Sequence, residues 1–281
     1  MTRNIKTKRA CEIFGRFSGK YYDNPGHLQC AIVQCSECGF VFSDMFIENR
    51  GYLQLTALDP LVYRNVEMLR HREAPRVKNI LSEIVSLKKT GKLLDVGCGH
   101  GFLLTAAKAQ GFQVLGVELQ NSSAIAGKNC GLDIITGEVT DAGFQTDFFD
   151  IVVMSEVLEH MLYPKKCLEE TRRILKKDGY LYIVVPNVES YQAKNNPLWW
   201  SEYHLNHFSL GSLSKLIEVG GFVPVKEIIN LHVPSIFNKV RRNLYSLGIA
   251  RTIRYLLSFD VGKRVSAVIP TAGITMICRK A

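Results

Sequence analysis

The sequence predicts an α/β protein: a mostly parallel sheet with helices on both faces. Three observations carry that prediction. From about residue 91 onward, apolar strand-like runs alternate with helix-like stretches. Several of the runs are apolar at nearly every position, as in strands covered on both sides. The helix-like stretches close on glycine, which is common just past a helix end. In chain order, KLLDVGC, FQVLGVEL, LDIITGEV, FDIVVMS and GYLYIVVPN read as strands. Between them, FLLTAAKAQG, SSAIAGKNCG and CLEETRRILKKDG read as helices. SLSKLIEVGGF adds a further helix, and FVPVKEIIN and GITMICRKA add two strands. This core occupies residues 91–281 and is interrupted at 232–268 by an insertion that reads as amphipathic basic helices. Residues 46–90 read as a helical lead-in, and residues 1–45 as a small cysteine-rich segment short on helix signals.

Composition narrows the class. The chain has 281 residues, 47% hydrophobic and 22% charged, which suits a globular protein with a sizeable core. No run approaches the roughly 18 unbroken apolar residues of a membrane span. MTRNIKTKRACEIFG is basic without an apolar centre, so it does not read as a secretory signal. A cytoplasmic location is expected, and with it eight cysteines that are thiols or metal ligands rather than disulfides. The net charge of +9 is concentrated at the C-terminal end, where nine lysines and arginines after Leu231 face the single acid Asp260. Such an excess suits either a solvated surface or an anionic neighbour: a phosphorylated or lipid-linked acceptor, a membrane surface contacted peripherally, or nucleic acid.

LLDVGCGHGFLL, residues 93–104, reads as a strand, a glycine turn and a helix start. Gly97, Gly99 and Gly101 let the backbone turn sharply and approach a ligand, and the helix start presents free N–H groups. Glu118 ends the next strand, in position for a carboxylate that accepts from two ribose hydroxyls. The nicotinamide-dinucleotide pattern G-x-G-x-x-G fails, because Phe102 stands where the third glycine belongs.

With these residues in view, the chain resembles the class I S-adenosylmethionine-dependent methyltransferases. GVEL, FDIVVMSEVLEH and LKKDGYLYIVVPN resemble that family's later motifs in the expected order. The resemblance covers about residues 70–230 and the final strand. It implies a Rossmann-like seven-stranded sheet with the last strand antiparallel, and S-adenosylmethionine as cofactor. By position, Asp95, Gly97 and Gly99 would line the methionine part, Glu118 the ribose, and Glu138 and Val139 the adenine. Ser155 would lie beneath the cofactor, and Cys98, Gly101 and Leu119 complete the implied set. Methyl transfer from an activated sulfonium asks the protein mainly to align donor and acceptor, and to take a proton from the acceptor where needed.

SEVLEHM, residues 155–161, places Glu156, Glu159 and His160 at i, i+3 and i+4, the spacing of one helix face. Three readings stand: a metal site, an acid/base site, or a helix start whose acids favour its positive end. The E-x-x-E-H arrangement resembles the O-methyltransferases of ubiquinone biosynthesis and small-RNA 2′-O-methyltransferases. That likeness implies a divalent ion such as Mg²⁺ on Glu156, Glu159 and His160, with His204 as a further ligand. Without an ion, His160 is the candidate base, and Glu156 and His207 are further catalytic candidates. YQAKNNPLWWSEYHLNHF, with Trp199 and Trp200, reads as core or as a lid over a flat or amphipathic acceptor.

Cys11, Cys30, Cys35 and Cys38 fall within 28 residues. CSECGFVFSD resembles the second half of the zinc ribbon that precedes many methyltransferases. CEIFG departs from the first half, since Phe14 stands at the second ligand position. Cys30 or His27 could then complete the four ligands a structural zinc needs. The alternative is a ribbon-shaped remnant packed by its aromatics. The function expected from all this is methyl transfer to a small-molecule acceptor, most simply at a hydroxyl oxygen. The alternatives are C-methylation of a nucleotide-linked sugar, RNA 2′-O-methylation (no RNA-binding module supports it), and a non-catalytic cofactor-binding scaffold.

Overall fold

The structure, a computed structural model, describes residues 19–22, 31–44, 66–190, 204–230 and 273–281. An N-terminal antiparallel group comes first: β1 (Gly19–Tyr22), β2 (Ala31–Cys35) and β3 (Val41–Asp44). After it come α1 (Val66–Leu87), β4 (Lys92–Val96), α2 (Phe102–Ala109), β5 (Gln113–Glu118), α3 (Asn121–Asn129), β6 (Ile134–Thr136) and β7 (Phe149–Ser155). A 3₁₀ turn (Leu158–His160) leads to α4 (Pro164–Ile174) and β8 (Leu175–Pro186). The chain closes with β9 (Asn206–His207), α5 (Leu210–Val219), β10 (Phe222–Asn230) and β11 (Gly273–Lys280).

The main sheet has seven strands in the order β10-β11-β8-β7-β4-β5-β6. Strands β6, β5, β4, β7 and β8 run parallel, and β11 lies antiparallel between β8 and β10. This is the predicted Rossmann-like sheet with an antiparallel last strand. The apolar runs explain the centre: Ile151, Val152, Val153 and Met154 of β7 are all fully buried, each contributing on the order of 1.5–3 kcal/mol. α1 and α2 cover one face through Ile80, Ile84, Leu103 and Leu104. α4 and α5 cover the other, with Cys167, Leu168, Leu213 and Leu216 in the same core as Phe40 and Phe42 of the N-terminal strands. The order turns between β4 and β7, since β5 lies on one side of β4 and β7 on the other. That is the switch point beside which open α/β sheets bind ligands.

The structure corrects one sequence expectation here. CLEETRRILKKDG does not run as a helix to Gly179; α4 stops at Ile174, and Leu175 already pairs with Phe149. Residues 176–179 bulge out before Tyr180 rejoins β7 opposite Ile151. Asp150 ties this corner together. Its carboxylate accepts from Lys88 Nζ at 2.6 Å, Lys176 Nζ at 2.9 Å and the Lys92 backbone N–H at 2.8 Å. Lys176 is thereby held against β7 where the strand begins.

These partners hold the Asp150 carboxyl below its ordinary value of 3.8, at about 2, against the opposing effect of burial. Asp150→Ala is expected to destabilise the fold by about 2 kcal/mol, because it leaves the Lys92 N–H and two lysines without their acceptor. A depressed folded-state pKa contributes stability above pH 4 that fades as the pH falls towards 2. Thermal melts of wild type and Asp150→Ala should therefore differ most near neutrality and draw together as the pH falls through about 2.

Candidate active site

Strand β4 delivers Asp95 and then Gly97 to the carboxyl edge of the sheet. The turn is pinned to β5: the Gly97 and Cys98 N–H groups donate to the Val117 carbonyl at 2.8 and 3.1 Å. Asp95 is buried, and desolvation pushes its carboxyl up to about 7 even with Arg76 nearby opposing the shift. Cys98 is buried beside Asp95 and Glu118, and its thiol is raised far above its ordinary range.

Two glycines of the turn serve different ends. At Gly99, φ is +53°, and an added Cβ would meet nothing within 4 Å, so this backbone faces open space. At Gly101, φ is +74°, and a Cβ would lie 2.2 Å from Leu132 Cδ1. The expected place for Gly101 among the ligand contacts is therefore corrected: it turns inward and lets α2 pack tightly on Leu132.

Glu118 ends β5, and its two oxygens are already engaged by backbone. Oε2 accepts from the Gly99 N–H and Oε1 from the Gln120 N–H, both at 2.7 Å. Burial still raises its pKa above the ordinary value. The Leu119 backbone N–H is a further donor, and of the roughly four lone-pair directions of a carboxylate, capacity remains for a ligand hydroxyl. Gly97, Cys98, Gly99, Glu118, Leu119, Glu138, Val139 and Ser155 all line one cavity of about 1120 Å³. The Ser155 hydroxyl is buried there with no hydrogen-bond partner among the described residues.

The acidic–histidine segment departs from the single helix face expected of it. Glu156 has φ +59° and precedes the 3₁₀ turn, so the i, i+3, i+4 geometry is never formed. Its side chain, 55% exposed, points to α1 and pairs with Arg76 Nη1 at 2.6 Å. Arg76 Nε also lies 2.9 Å from Glu73. Glu159 turns the other way and is 1% exposed. Burial holds its carboxyl well above the ordinary value of 4.5, and Oε2 has no hydrogen-bond partner among the described residues. Candidate ligand atoms of Glu159, His160 and His204 all lie within 4.8 Å of one another. The His160 and His204 rings meet edge to face with centroids 5.0 Å apart, and both line the cavity.

His207, expected to be catalytic, is buried in β9, which pairs with β3. Its Nε2 lies 3.3 Å from the Ser43 hydroxyl, whose own proton goes to the His204 carbonyl. In that arrangement Nε2 is the donor, and His207 serves the small sheet instead of the cavity. Cys35 and Cys38 are buried in the tight turn joining β2 and β3, where the Gly39 N–H donates to the Cys35 carbonyl at 2.9 Å. Cys11, Cys30, Trp199, Trp200 and the basic stretch 232–268 lie outside the described residues. Arg76 and Leu69 of α1 also line the cavity, and sequence reasoning missed both. The cluster EMLRHREAPR shows charge without showing which face meets the sheet.

A family model described as a methyltransferase domain matches residues 68–227, more than half of the chain. The chain belongs to the methyltransferase family. Its matched span contains the glycine turn, Glu118 and the acidic–histidine segment. A ubiquinone biosynthesis O-methyltransferase of Nitrosomonas europaea is 26% identical over 124 residues, 42% of this chain and 53% of that protein. An uncharacterised protein of Methanocaldococcus jannaschii is 31% identical over 117 residues, 40% of this chain and 55% of that one. The chain thus spans about half the length of these curated relatives. Among solved structures, a SAM-dependent methyltransferase from Archaeoglobus fulgidus superposes with a TM-score of 0.54 at 17% identity, covering 74% of this chain and 94% of that one. The fold is that of the SAM-dependent methyltransferase structures, and the matched span is a methyltransferase domain. Among the described residues, no helix of this methyltransferase is long and apolar enough to cross a membrane.

The two glycines give a paired prediction. Gly99→Ala, a non-glycine at positive φ, costs roughly 1–2 kcal/mol of stability and intrudes on the cavity. Gly101→Ala adds overpacking against Leu132, for about 1–3 kcal/mol more. Calorimetry and melting should show Gly99→Ala folded but weak for S-adenosylmethionine, and Gly101→Ala with the lower melting temperature.

Proposed function

We propose that this methyltransferase transfers a methyl group to a hydroxyl oxygen of a small-molecule acceptor that docks against His160 and His204, with Glu159 buried behind them. The observation that carries the reading is the buried Glu159 carboxyl, with one oxygen unpartnered, beside two imidazoles on the wall of the glycine-turn cavity. The ubiquinone-biosynthesis relatives, themselves named O-methyltransferases, support oxygen as the accepting atom.

The cavity's donor set fits the cofactor. Open space at Gly99, the partnerless Ser155 hydroxyl and the remaining lone pairs of Glu118 are what a nucleoside with two ribose hydroxyls would use. In this reading Asp95 and Gly97 hold the methionine end, Glu118 the ribose, and Glu138 and Val139 the adenine. S-adenosylmethionine supplies a methyl on a sulfonium that is already activated towards displacement. The chain's share is then alignment, worth several kcal/mol of barrier, and removal of one proton. His160 accepts the acceptor's hydroxyl proton on its ring nitrogen. Glu159, with Oε1 3.8 Å from His160 Nε2, lies beside that ring and orients it.

A carboxylate and two imidazoles also suit a divalent ion such as Zn²⁺ or Mn²⁺. Glu159, His160 and His204 would hold it, without Glu156, and it would make the bound hydroxyl more acidic. An anionic or lipid-linked acceptor rests on the basic stretch 232–268 alone. Incubating the enzyme with isotopically labelled S-adenosylmethionine and candidate hydroxyl compounds, with and without chelator, tests the reading. Label recovered as a methyl ether supports it; label on carbon or on RNA sinks it.

A further inference from the structure

We propose that Asn206 and Ser43 are positioning residues of the acceptor site, clamping the segment that carries His204 against the turn that carries Glu159 and His160. The Asn206 Nδ2 group donates both protons across the chain, to the Leu158 carbonyl at 2.9 Å and the Met161 carbonyl at 2.7 Å. Those carbonyls flank Glu159 and His160 on either side. The Leu205 N–H donates to the Glu159 carbonyl at 2.7 Å and completes the seam. One carboxamide thus ties both ends of the 3₁₀ turn to the strand that begins two residues after His204.

The N-terminal strands hold the same segment from behind. The Ser43 N–H donates to the Leu205 carbonyl at 2.9 Å, and the Ser43 hydroxyl donates to the His204 carbonyl at 3.0 Å. β3 pairs with β9 at Val41–His207 and Phe42–Asn206. Asn206 and Ser43 are both 1% exposed. Ser43 lies outside residues 68–227, the span of the methyltransferase domain. The N-terminal hairpin is therefore built into the acceptor site, and the domain alone lacks half of the clamp. Without the clamp, the His204 segment keeps the Leu205–Glu159 hydrogen bond but loses its ties to both ends of the turn, and the three-residue cluster loosens.

The role of Asn206 and Ser43 in catalysis rests on the reading of Glu159, His160 and His204 given above; the clamp itself is tested without it. Full-length protein labelled at histidine should show a nuclear Overhauser cross-peak between the His160 and His204 rings, whose centroids lie 5.0 Å apart. Asn206→Asp sets an oxygen against two carbonyls, and the cross-peak should vanish. Affinity for S-adenosylmethionine should stay within about threefold, as expected of separated sites. Ser43→Ala should weaken the cross-peak, and Ser43→Thr, which keeps the hydroxyl, should restore it. Wild-type intensity in both Asn206→Asp and Ser43→Ala overturns the proposal, and if Asn206→Asp does not fold, the serine pair decides alone. The cross-peak is read without acceptor or ion, so normal turnover by Glu159→Gln would sink the acid–histidine reading and leave the clamp as measured.

Discussion

Glu118→Ala is expected to weaken S-adenosylmethionine binding by roughly 10²–10⁴-fold while leaving the sheet folded. Hydrogen bonds to a charged group contribute about 1.5–3 kcal/mol each, and two ribose hydroxyls would be lost together. The loss is compounded by the turn. Glu118 also receives the Gly99 and Gln120 N–H groups, so its removal unties the backbone that faces the cavity. Glu118→Gln sharpens the test, since its amide nitrogen must face one of two N–H donors. It should fall between wild type and alanine. Calorimetry reads all three, and equal affinities would remove Glu118 from the cofactor site.

The second large effect is at the acid–histidine turn. Glu159→Gln and His160→Gln should each lower turnover by roughly 10²–10⁴-fold, the usual contribution of a positioned acid or base. S-adenosylmethionine affinity should hardly change. Stability moves the opposite way for Glu159→Gln. The native carboxyl titrates well above 4.5, so the folded state holds its proton longer than the unfolded chain. Stability from this group is therefore full below pH 4.5 and declines as the pH rises towards the folded value. The neutral amide removes that decline, and the variant should melt higher than wild type at pH 8 with little difference at pH 4. A slower but more stable enzyme is the signature of a buried acid kept for function. Normal turnover with the same gain in stability would make Glu159 a packing residue.

How legible each feature was depends on how local its cause is. The cradle of Asp95, Gly99 and Glu118 could be read because strand, turn and next strand follow one another within 24 residues. Parallel β-strands covered on both faces announce themselves by continuous apolar runs, as β7 does. Glu156 misled because helical spacing says nothing when the backbone enters a left-handed conformation first. His207 and His204 are three residues apart and face different surroundings, one towards Ser43 and one towards the cavity. Nothing in EYHLNHF separates them. Leu175 looked helical, but it pairs with Phe149 of β7, a contact that helical periodicity does not show. Asn206 reaches a carbonyl 45 residues away and Arg76 a carboxylate 80 residues away, and no periodic pattern encodes that.

The central claim is that the methyl group leaves S-adenosylmethionine for a hydroxyl held at His160 and His204, with Glu159 behind them. Its most direct measurement is mass spectrometry of a small-molecule extract incubated with deuteromethyl S-adenosylmethionine and either wild type or Glu159→Gln. The account predicts one labelled methyl ether with wild type that is absent or at least a hundredfold weaker with the variant, the lower bound for a lost acid or base. A labelled product of equal intensity from both enzymes, or one labelled on carbon, would contradict it.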